Sequence, residues 1–513
     1  MTLLLDALER SLKEPQCAQR WHGLMKIWLE TADKAAQRSV LDTLEAIPDS
    51  EPRADILRLT FVAGASGESR FENAAAVQVL AAEPTNSDRL AAFMAFQWLS
   101  ALQNLENRTE FTSALSAARL PEMARRLMQE AARLLPPAFL PRVPETIERV
   151  AIVVPYVGHQ FHTPSVMAVE QGAVLAREGR QVRLVSAQEL MPPGASLFRG
   201  DGRDLRLPPL NARAWANMLP PGVDMTISDD RFSLPGRWRN LMPMLAEFDP
   251  DVVLLVGLFS PLAAALHTVR PLVGISVNTV APIAPLDVWL TADAEVERRE
   301  TWGGIFSPPL PVFHPWRVKR TNKQWQLTRA ELGLDETAVI WITAGFRLEH
   351  EIKGEWANRM AQLTSRHPRV VWLLVGGDGK LPQALLPVAS RVRALATRKD
   401  LPGILRNSDV YVNPPRMGGG FSVAEAMAEG LPVTSFAGSD GGDKVGDLSL
   451  PDMNAYIERL AALTENPGLR ADMGRVLRQR FAERFDVEAS GPALLAACRQ
   501  AASLARARLT RPS

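Results

Sequence analysis

Residues 414–433 read Pro-Pro-Arg-Met-Gly-Gly-Gly-Phe-Ser-Val-Ala-Glu-Ala-Met-Ala-Glu-Gly-Leu-Pro-Val. They follow a short apolar run, residues 410–412, which predicts a buried strand bounded by turn signals. Ser422 is placed to cap the helix that comes next, Glu425 would complete a capping box, and Gly430 would end the helix. The segment therefore predicts strand, glycine turn, helix and strand, which is a unit of an α/β fold.

The glycine run within this segment has a physical use beyond forming a turn. Gly418, Gly419 and Gly420 have no Cβ, so another group can approach their backbone closely. A glycine turn that leads into a helix N-terminus is suited to an anion, because unpaired N–H groups and the helix dipole converge there. The local alternative is that the glycines only form a tight turn and that Glu425 only completes the helix cap.

Residues 425–433 resemble the donor-site helix of nucleotide-sugar glycosyltransferases of the GT-B fold, especially those of family 4. In that family the glutamate that begins this segment holds the nucleotide ribose, and the resemblance gives this role to Glu425. A second glutamate normally lies eight residues earlier and contacts the donor sugar, but Met417 stands there in this chain. The donor site predicted from the resemblance also includes Gly418, Gly419, Gly420, Phe421 and Ser422.

Composition excludes several classes of function. A length of 513 residues corresponds to about three domains, and the net charge of +1 gives no indication of a nucleic-acid partner. The two cysteines, Cys17 and Cys498, fit a reducing compartment rather than a disulfide framework or structural zinc. The charged N-terminus is unlike a signal peptide, and no apolar run is long enough to cross a bilayer. We therefore predict a cytoplasmic protein without a transmembrane segment, and peripheral membrane contact stays open.

The pattern of residue types along the chain predicts its division into domains. Residues 1–145 are rich in helix-forming residues with helical spacing and end in a proline-rich linker, so they predict an all-helical domain. Apolar β-branched runs then alternate with helical segments, which predicts doubly wound parallel sheets. The first Rossmann-like lobe, on the acceptor side, is predicted to span residues 146–318, and the second, on the donor side, residues 319–490. Residues 491–513 are predicted to form the C-terminal helix that crosses back to the first lobe in GT-B proteins. Residues 293–325 mix charges, prolines and tryptophans, which predicts a connector between the lobes.

Two histidines lie in the loop after the first predicted strand. His159 and His162 fall within residues 156–165, and ligands of such sheets bind beyond the strands' C-terminal ends. One interpretation is a base or hydrogen-bond donor near the transferred sugar, and GT-B enzymes, including the protein O-linked transferases of family 41, commonly have a histidine in this loop. The alternative is a loop histidine satisfied by backbone groups. His162 is preferred because it directly precedes the predicted helix start.

The second lobe opens with another strand and a charged loop. Residues 338–343 predict the strand, residues 344–354 form its loop, and a second strand ends in Gly-Asp-Gly. This order resembles family 4, in which an arginine and a lysine neutralise the donor diphosphate, and it gives these roles to Arg347 and Lys353. Their spacing of six departs from the family's five. The alternative for both is a solvated surface cation.

A second glycine-rich segment carries two carboxylates. Residues 440–443 read Asp-Gly-Gly-Asp, which is a weak metal signal and is more typical of a solvated turn. We therefore predict no metal site.

The sequence predicts an α/β protein of the GT-B fold, with two facing Rossmann-like lobes after an all-helical domain. The resemblance implies a hexosyltransferase-like, metal-independent enzyme that transfers a sugar from a nucleoside-diphosphate sugar to a protein or glycan acceptor. No cofactor is expected, and His162 and Arg347 are the predicted catalytic residues. Two alternatives stay open: a catalytically silent, chaperone-like GT-B subunit of a protein-glycosylation complex, and a GT-B enzyme of other chemistry such as an epimerase. The sugar, the nucleotide, the acceptor and the stereochemical outcome are left open.

Overall fold

The computed structural model describes residues 2–82, 87–160, 162–190, 213–229, 231–277, 280–291, 302, 304–316, 318–319 and 325–510. Within these residues, the part of the chain before the first strand is helical. Its helices are α1 Thr2–Lys13, α2 Ala18–Glu30, α3 Lys34–Glu45, α4 Pro52–Ser66, α5 Ser69–Ala82, α6 Ser87–Asn104, α7 Arg108–Ala117 and α8 Leu120–Ala132.

The first sheet has seven parallel strands in the order β3-β2-β1-β4-β5-β6-β7. The central strands are almost wholly buried and apolar, as expected for a parallel sheet covered on both faces. The elements are β1 Arg149–Val153, α9 Thr163–Arg177, β2 Gln181–Ser186, β3 Val223–Ile227, α10 Leu234–Phe248, β4 Val252–Val256, α11 Pro261–Leu266, β5 Leu272–Ile275, β6 Val288–Thr291 and β7 Leu310–Phe313.

The sequence analysis missed two strands of this sheet, β3 and β7. Strand β7 lies in the segment that was predicted to be a connector, so that prediction is wrong for residues 310–313. The strand contains Pro311, which has no N–H to donate. Proline is tolerated in a sheet at an edge, and β7 is an edge strand.

The second sheet has five parallel strands in the order β10-β9-β8-β11-β12. The elements are β8 Val339–Ala344, α12 Leu348–Glu351, α13 Gly354–Arg366, β9 Val370–Val375, β10 Val392–Leu395, α14 Leu401–Arg406, β11 Val410–Val412, α15 Phe421–Glu429, β12 Val433–Thr434, α16 Gly442–Val445, α17 Met453–Glu465, α18 Pro467–Arg484 and α19 Gly491–Leu509. The predicted fold class, two Rossmann-like lobes after a helical region, is confirmed. The limits of the four predicted domains stay a prediction.

The chain passes between the lobes twice, and the two passages lie side by side. The Val318 amide donates to the Phe485 carbonyl at 3.2 Å, and the Val487 amide donates to the Val318 carbonyl at 3.0 Å. Helix α19 then packs on the first sheet, where Leu494 and Cys498 join its apolar core. The last helix therefore belongs structurally to the first lobe.

The helical region is attached to both lobes. Its second half shares one apolar core with the first sheet, in which Phe93 and Leu127 are buried together with Val253 and Trp238. It also reaches the second lobe, where α6 packs against α12 and Arg108 lies 4.0 Å from Asp443. No helix in the described part of the chain is both long and apolar enough to cross a membrane.

Candidate active site

Arg347 lies just beyond the C-terminal end of β8, at the residue before α12. Its Nε donates to Glu351 Oε1 at 2.9 Å, and its Nη2 donates to the Met417 carbonyl at 2.9 Å. The side chain is 28% exposed, and within the described residues Nη1 has no hydrogen bond. The carboxylate and the carbonyl therefore fix the guanidinium while Nη1 remains available to a ligand.

Glu351 joins Arg347 to a second arginine that sequence reasoning missed. Glu351 Oε2 accepts from Arg416 Nη1 at 2.9 Å, and both of these side chains are about 5% exposed or less. Burial alone would raise the pKa of Glu351, but the charges and hydrogen bonds of Arg416 and Arg347 outweigh it and hold the pKa below its usual value. The three residues form an ion triad that stays charged.

Helix α15 begins at Phe421, and its start differs from the sequence prediction. Gly420 occupies the N-cap with φ of 63°, and no side chain caps the helix. Ser422 lies inside the first turn, where its Oγ accepts from Arg416 Nη2 at 3.0 Å and lies 2.7 Å from Tyr411 Oη. The predicted capping box of Ser422 and Glu425 is therefore wrong. The first-turn amides have no capping side chain, which suits an anion.

The three glycines bring the start of α15 against neighbouring groups. A Cβ on Gly419 would lie 2.6 Å from the Val277 carbonyl of the first lobe, and a Cβ on Gly420 would lie 3.2 Å from Lys444 Cε. Phe421 packs against the apolar cores of both lobes. The glycine turn thus faces the first lobe, and the buried Lys444 adds a cation beside it.

The side chain of Met417 does not take the place of the acid that contacts the donor sugar in family 4. Its side chain is 0% exposed and belongs to the apolar core that the first sheet shares with the helical region. Its backbone carbonyl is the part that contacts the site, through Arg347.

Glu425 lies on α15, and its carboxyl group is largely shielded from solvent. Burial raises the pKa of Glu425 to about 7, and the charge of Glu429 contributes. Glu170 of α9 has its pKa raised to about 8, chiefly by burial, with Lys319 acting in the opposite direction and Glu425 adding to the rise. Two acidic groups from opposite lobes therefore interact across the cleft.

His162 is the residue before α9, and its ring is held by the first turn of that helix. Nδ1 lies 2.7 Å from Ser165 Oγ, which also accepts the Gly158 amide at 3.0 Å. Burial lowers the pKa of His162 to about 4, and His159 contributes, so the imidazole is neutral at pH 7. The exposed His159 lies with its ring centroid 5.8 Å from that of Phe346, next to Arg347. The histidine loop thus approaches the arginine loop across the cleft.

Lys353 and Asp440 differ in how far they are exposed to solvent. Lys353 is exposed at the residue before α13. Asp440 was predicted to lie in a solvated turn, but it is 3% exposed because it contacts the buried Asn413 and Arg416. That prediction is wrong. Within the described residues, no group of three or more His, Cys, Asp or Glu side chains is arranged to hold a metal ion.

Residues 346–466 match the family model described as glycosyl transferases group 1. They include Arg347, the glycine turn, Glu425 and Asp440. The second lobe therefore carries a group 1 glycosyltransferase domain. The search of solved structures shows the same fold for nearly the whole chain: the O-GlcNAc transferase of Thermobaculum terrenum, solved as a point mutant, is 15% identical over 98% of this chain and 94% of its own, with a TM-score of 0.59.

Other solved structures match about two thirds of this chain. A glycosyltransferase from Rickettsia africae is 10% identical over 70% of this chain and 99% of its own, with a TM-score of 0.49. WaaG, a glycosyltransferase involved in lipopolysaccharide biosynthesis, is 14% identical over 67% of this chain and 98% of its own, with a TM-score of 0.42. The search of curated proteins gave no match.

Proposed function

We propose that this glycosyltransferase transfers a sugar, such as a hexose, from a nucleoside-diphosphate sugar to a protein or glycan acceptor. The observation that carries the proposal is the position of Arg347. Glu351 and the Met417 carbonyl hold its guanidinium beside the glycine turn from which α15 starts. A guanidinium with a free Nη1 and an uncapped helix N-terminus together suit a diphosphate.

Catalysis on this proposal is stabilisation of the leaving diphosphate. Negative charge grows on the leaving oxygen as the bond to the sugar breaks, so donors fixed in advance lower the barrier. Arg347 Nη1, the first-turn amides of α15 and the buried cation of Lys444 supply such stabilisation. The proposal needs no divalent ion and no cofactor. Lys353, an exposed residue, is proposed as a second cation for the diphosphate.

His162 is proposed to face the transferred sugar from the acceptor side. Because Ser165 Oγ already accepts the Gly158 amide, its hydroxyl hydrogen is available to His162 Nδ1. With the hydroxyl hydrogen assigned to that bond, the ring hydrogen is on Nε2, and His162 is proposed to act as a hydrogen-bond donor rather than as a base. A pKa of about 4 agrees with this, because the ring is not protonated at neutral pH.

Replacing His162 by glutamine tests this assignment. The glutamine amide can place an N–H near the position of Nε2, so we expect turnover within about tenfold of the parent, whereas His162→Ala should lose more than the glutamine variant, since one hydrogen bond is removed. The measurement is kcat with a saturating donor. Equal losses in both variants would contradict the donor role of the ring.

The first test of the function is a thermal-shift panel of UDP, GDP, dTDP and their sugars. A ligand at about 100 times its Kd should stabilise the fold by about 2.7 kcal/mol. We expect one nucleotide series to raise Tm, with the nucleoside diphosphate itself active and the bare nucleoside much weaker. No shift with any nucleoside diphosphate or its sugar would contradict the proposal.

A second candidate function is a catalytically silent GT-B subunit. The burial of Met417 favours it, because no acid at that position is offered to the donor sugar. The two functions separate in one assay: an enzyme releases nucleoside diphosphate from the stabilising nucleotide sugar, by hydrolysis or by transfer, whereas a silent subunit releases none.

A further inference from the structure

Asp440 is a buried carboxylate in the turn between β12 and α16. Its Oδ1 accepts from Asn413 Nδ2 at 3.0 Å, and its backbone amide donates to the Arg416 carbonyl at 3.2 Å. Its Oδ2 lies 3.5 Å from Arg416 Nε, which is beyond ordinary hydrogen-bond length. Asp440 is therefore fixed through Oδ1 and its backbone, and Oδ2 retains capacity to accept hydrogen bonds.

Gly418 lies directly against Asp440 Oδ2 at the glycine turn. A Cβ on Gly418 would lie 2.9 Å from Asp440 Oδ2 and 3.5 Å from Arg347 Nη2. The carboxylate oxygen and the guanidinium thus border the same glycine, where there is no room for a side chain. A glycine is required there by space, since the conformation of Gly418 is open to other residues.

We propose that Asp440 is a specificity-determining ligand of the donor sugar. This inference rests on the proposed function: a diphosphate held by Arg347 places the attached sugar beside Gly418 and Asp440. A carboxylate repels phosphate oxygens but accepts strong hydrogen bonds from hydroxyl groups. Asp440 Oδ2 therefore accepts a hydrogen bond from a hydroxyl of the sugar, and the substrate class is a donor sugar with a free hydroxyl beside its diphosphate.

The alternative for Asp440 is a purely structural role, because it also lies against Arg416. The two roles differ in which part of the donor they affect. A structural role acts on Arg416 and through Glu351 on Arg347, so its loss would weaken the bare diphosphate and the sugar conjugate equally. A sugar ligand affects only the conjugate. The ratio of the two affinities separates the roles.

The experiment uses calorimetry on the full chain. It measures Kd for the nucleoside diphosphate that binds most tightly among UDP, GDP and dTDP. It then measures Kd for the conjugates of that nucleotide with glucose, N-acetylglucosamine, mannose or rhamnose. For Asp440→Asn we expect the tightest conjugate to bind about tenfold more weakly relative to its nucleoside diphosphate, because one charge-assisted hydrogen bond is lost. An unchanged ratio overturns the proposal.

Two further variants complete the test. Gly418→Ala puts a methyl group over Asp440 Oδ2 without removing a charge, and it should shift the ratio in the same direction. Asp443→Asn removes a carboxylate of the same turn that lies near Arg108. This variant should leave the ratio of the two affinities unchanged. If Asp440→Asn does not fold, Gly418→Ala decides alone. Absence of any nucleoside-diphosphate binding in the parent would instead overturn the proposed function.

Discussion

Replacing Arg347 by glutamine should weaken nucleoside-diphosphate binding by up to about 100-fold, because the variant loses hydrogen bonds made by a charged donor. Binding of the bare nucleoside should hardly change, since only the phosphates contact this side chain. The fold should survive, because Glu351 keeps its bond to Arg416 when Arg347 is lost. The measurement is a pair of calorimetric titrations, one with the diphosphate and one with the nucleoside.

The matched control for Arg347 is Arg359→Gln on α13 of the same lobe. Arg359 is an arginine whose Nη2 donates to the Asn454 side chain at 3.1 Å, outside the site. It should leave both affinities unchanged. Lys353→Gln should give a smaller loss than Arg347→Gln, because Lys353 is exposed and its charge is screened by solvent. Equal losses of diphosphate and nucleoside binding in Arg347→Gln would mean that this residue does not contact phosphate.

Replacing Glu425 by glutamine should weaken donor binding by about tenfold or more at pH 8, because a carboxylate accepts stronger hydrogen bonds from ribose hydroxyls than an amide does. The effect should depend on pH. With a pKa of about 7, Glu425 is ionised at pH 8 and protonated at pH 6, so donor affinity of the parent should fall as pH falls through 7. The glutamine variant should lack that component. Calorimetry at both pH values measures it.

The stability of the same variant gives an independent check on Glu425. The folded pKa is about 7 and the ordinary value is 4.5, so between these values the folded state holds a proton that the unfolded state has lost. Ionisation of Glu425 therefore lowers the free energy of unfolding progressively as pH rises from 4.5 to 7. Glu425→Gln removes this effect. The free energy of unfolding of the variant, minus that of the parent, should therefore be larger at pH 8 than at pH 4.5. Because the structure gives Ser422 no cap at α15, no loss of a helix cap is expected.

Other charges surround Glu425 and need their own control. Glu170 of α9, with a pKa of about 8, titrates near it, and Glu429, Lys319 and Asp486 contribute to the local field. Glu170→Gln should retain the pH dependence of donor affinity, because burial and Glu429 raise the pKa of Glu425. If Glu425→Gln keeps both the affinity and the pH dependence of the parent, the glutamate does not hold the ribose.

Much of the fold could be predicted because its signals are local. The runs at residues 252–256 and 370–375 are continuous apolar segments between turn residues, and each is a strand with those bounds. The order of strand, charged loop and helix around Arg347 was equally readable. Strand β3 was missed because its sequence, Val-Asp-Met-Thr-Ile, is half polar at the edge of the sheet.

The residues that fix the site were harder to find, because their contacts are distant in sequence. Arg416 and Glu351 are 65 positions apart, and Asp440 lies 27 positions from Asn413, so no spacing rule links them. One signal was available: Arg347 and Glu351 are four residues apart with opposite charges, the spacing of a helical ion pair. The start of α15 was misjudged because the positive φ of Gly420, invisible in sequence, outweighs the capping tendency of Ser422.

The paired passages at Val318 and Asp486 limit how the two lobes can move. A chain that passes only once between lobes permits twisting and sliding as well as opening. Here the two passages are hydrogen-bonded to each other, so translation of one lobe along the other would break both bonds. Rotation about a short axis through this pair keeps both bonds, and it is the hinge type of domain motion. A few degrees of rotation there move atoms in proportion to their distance from the axis, so backbone angles at a handful of residues set the width of the whole cleft.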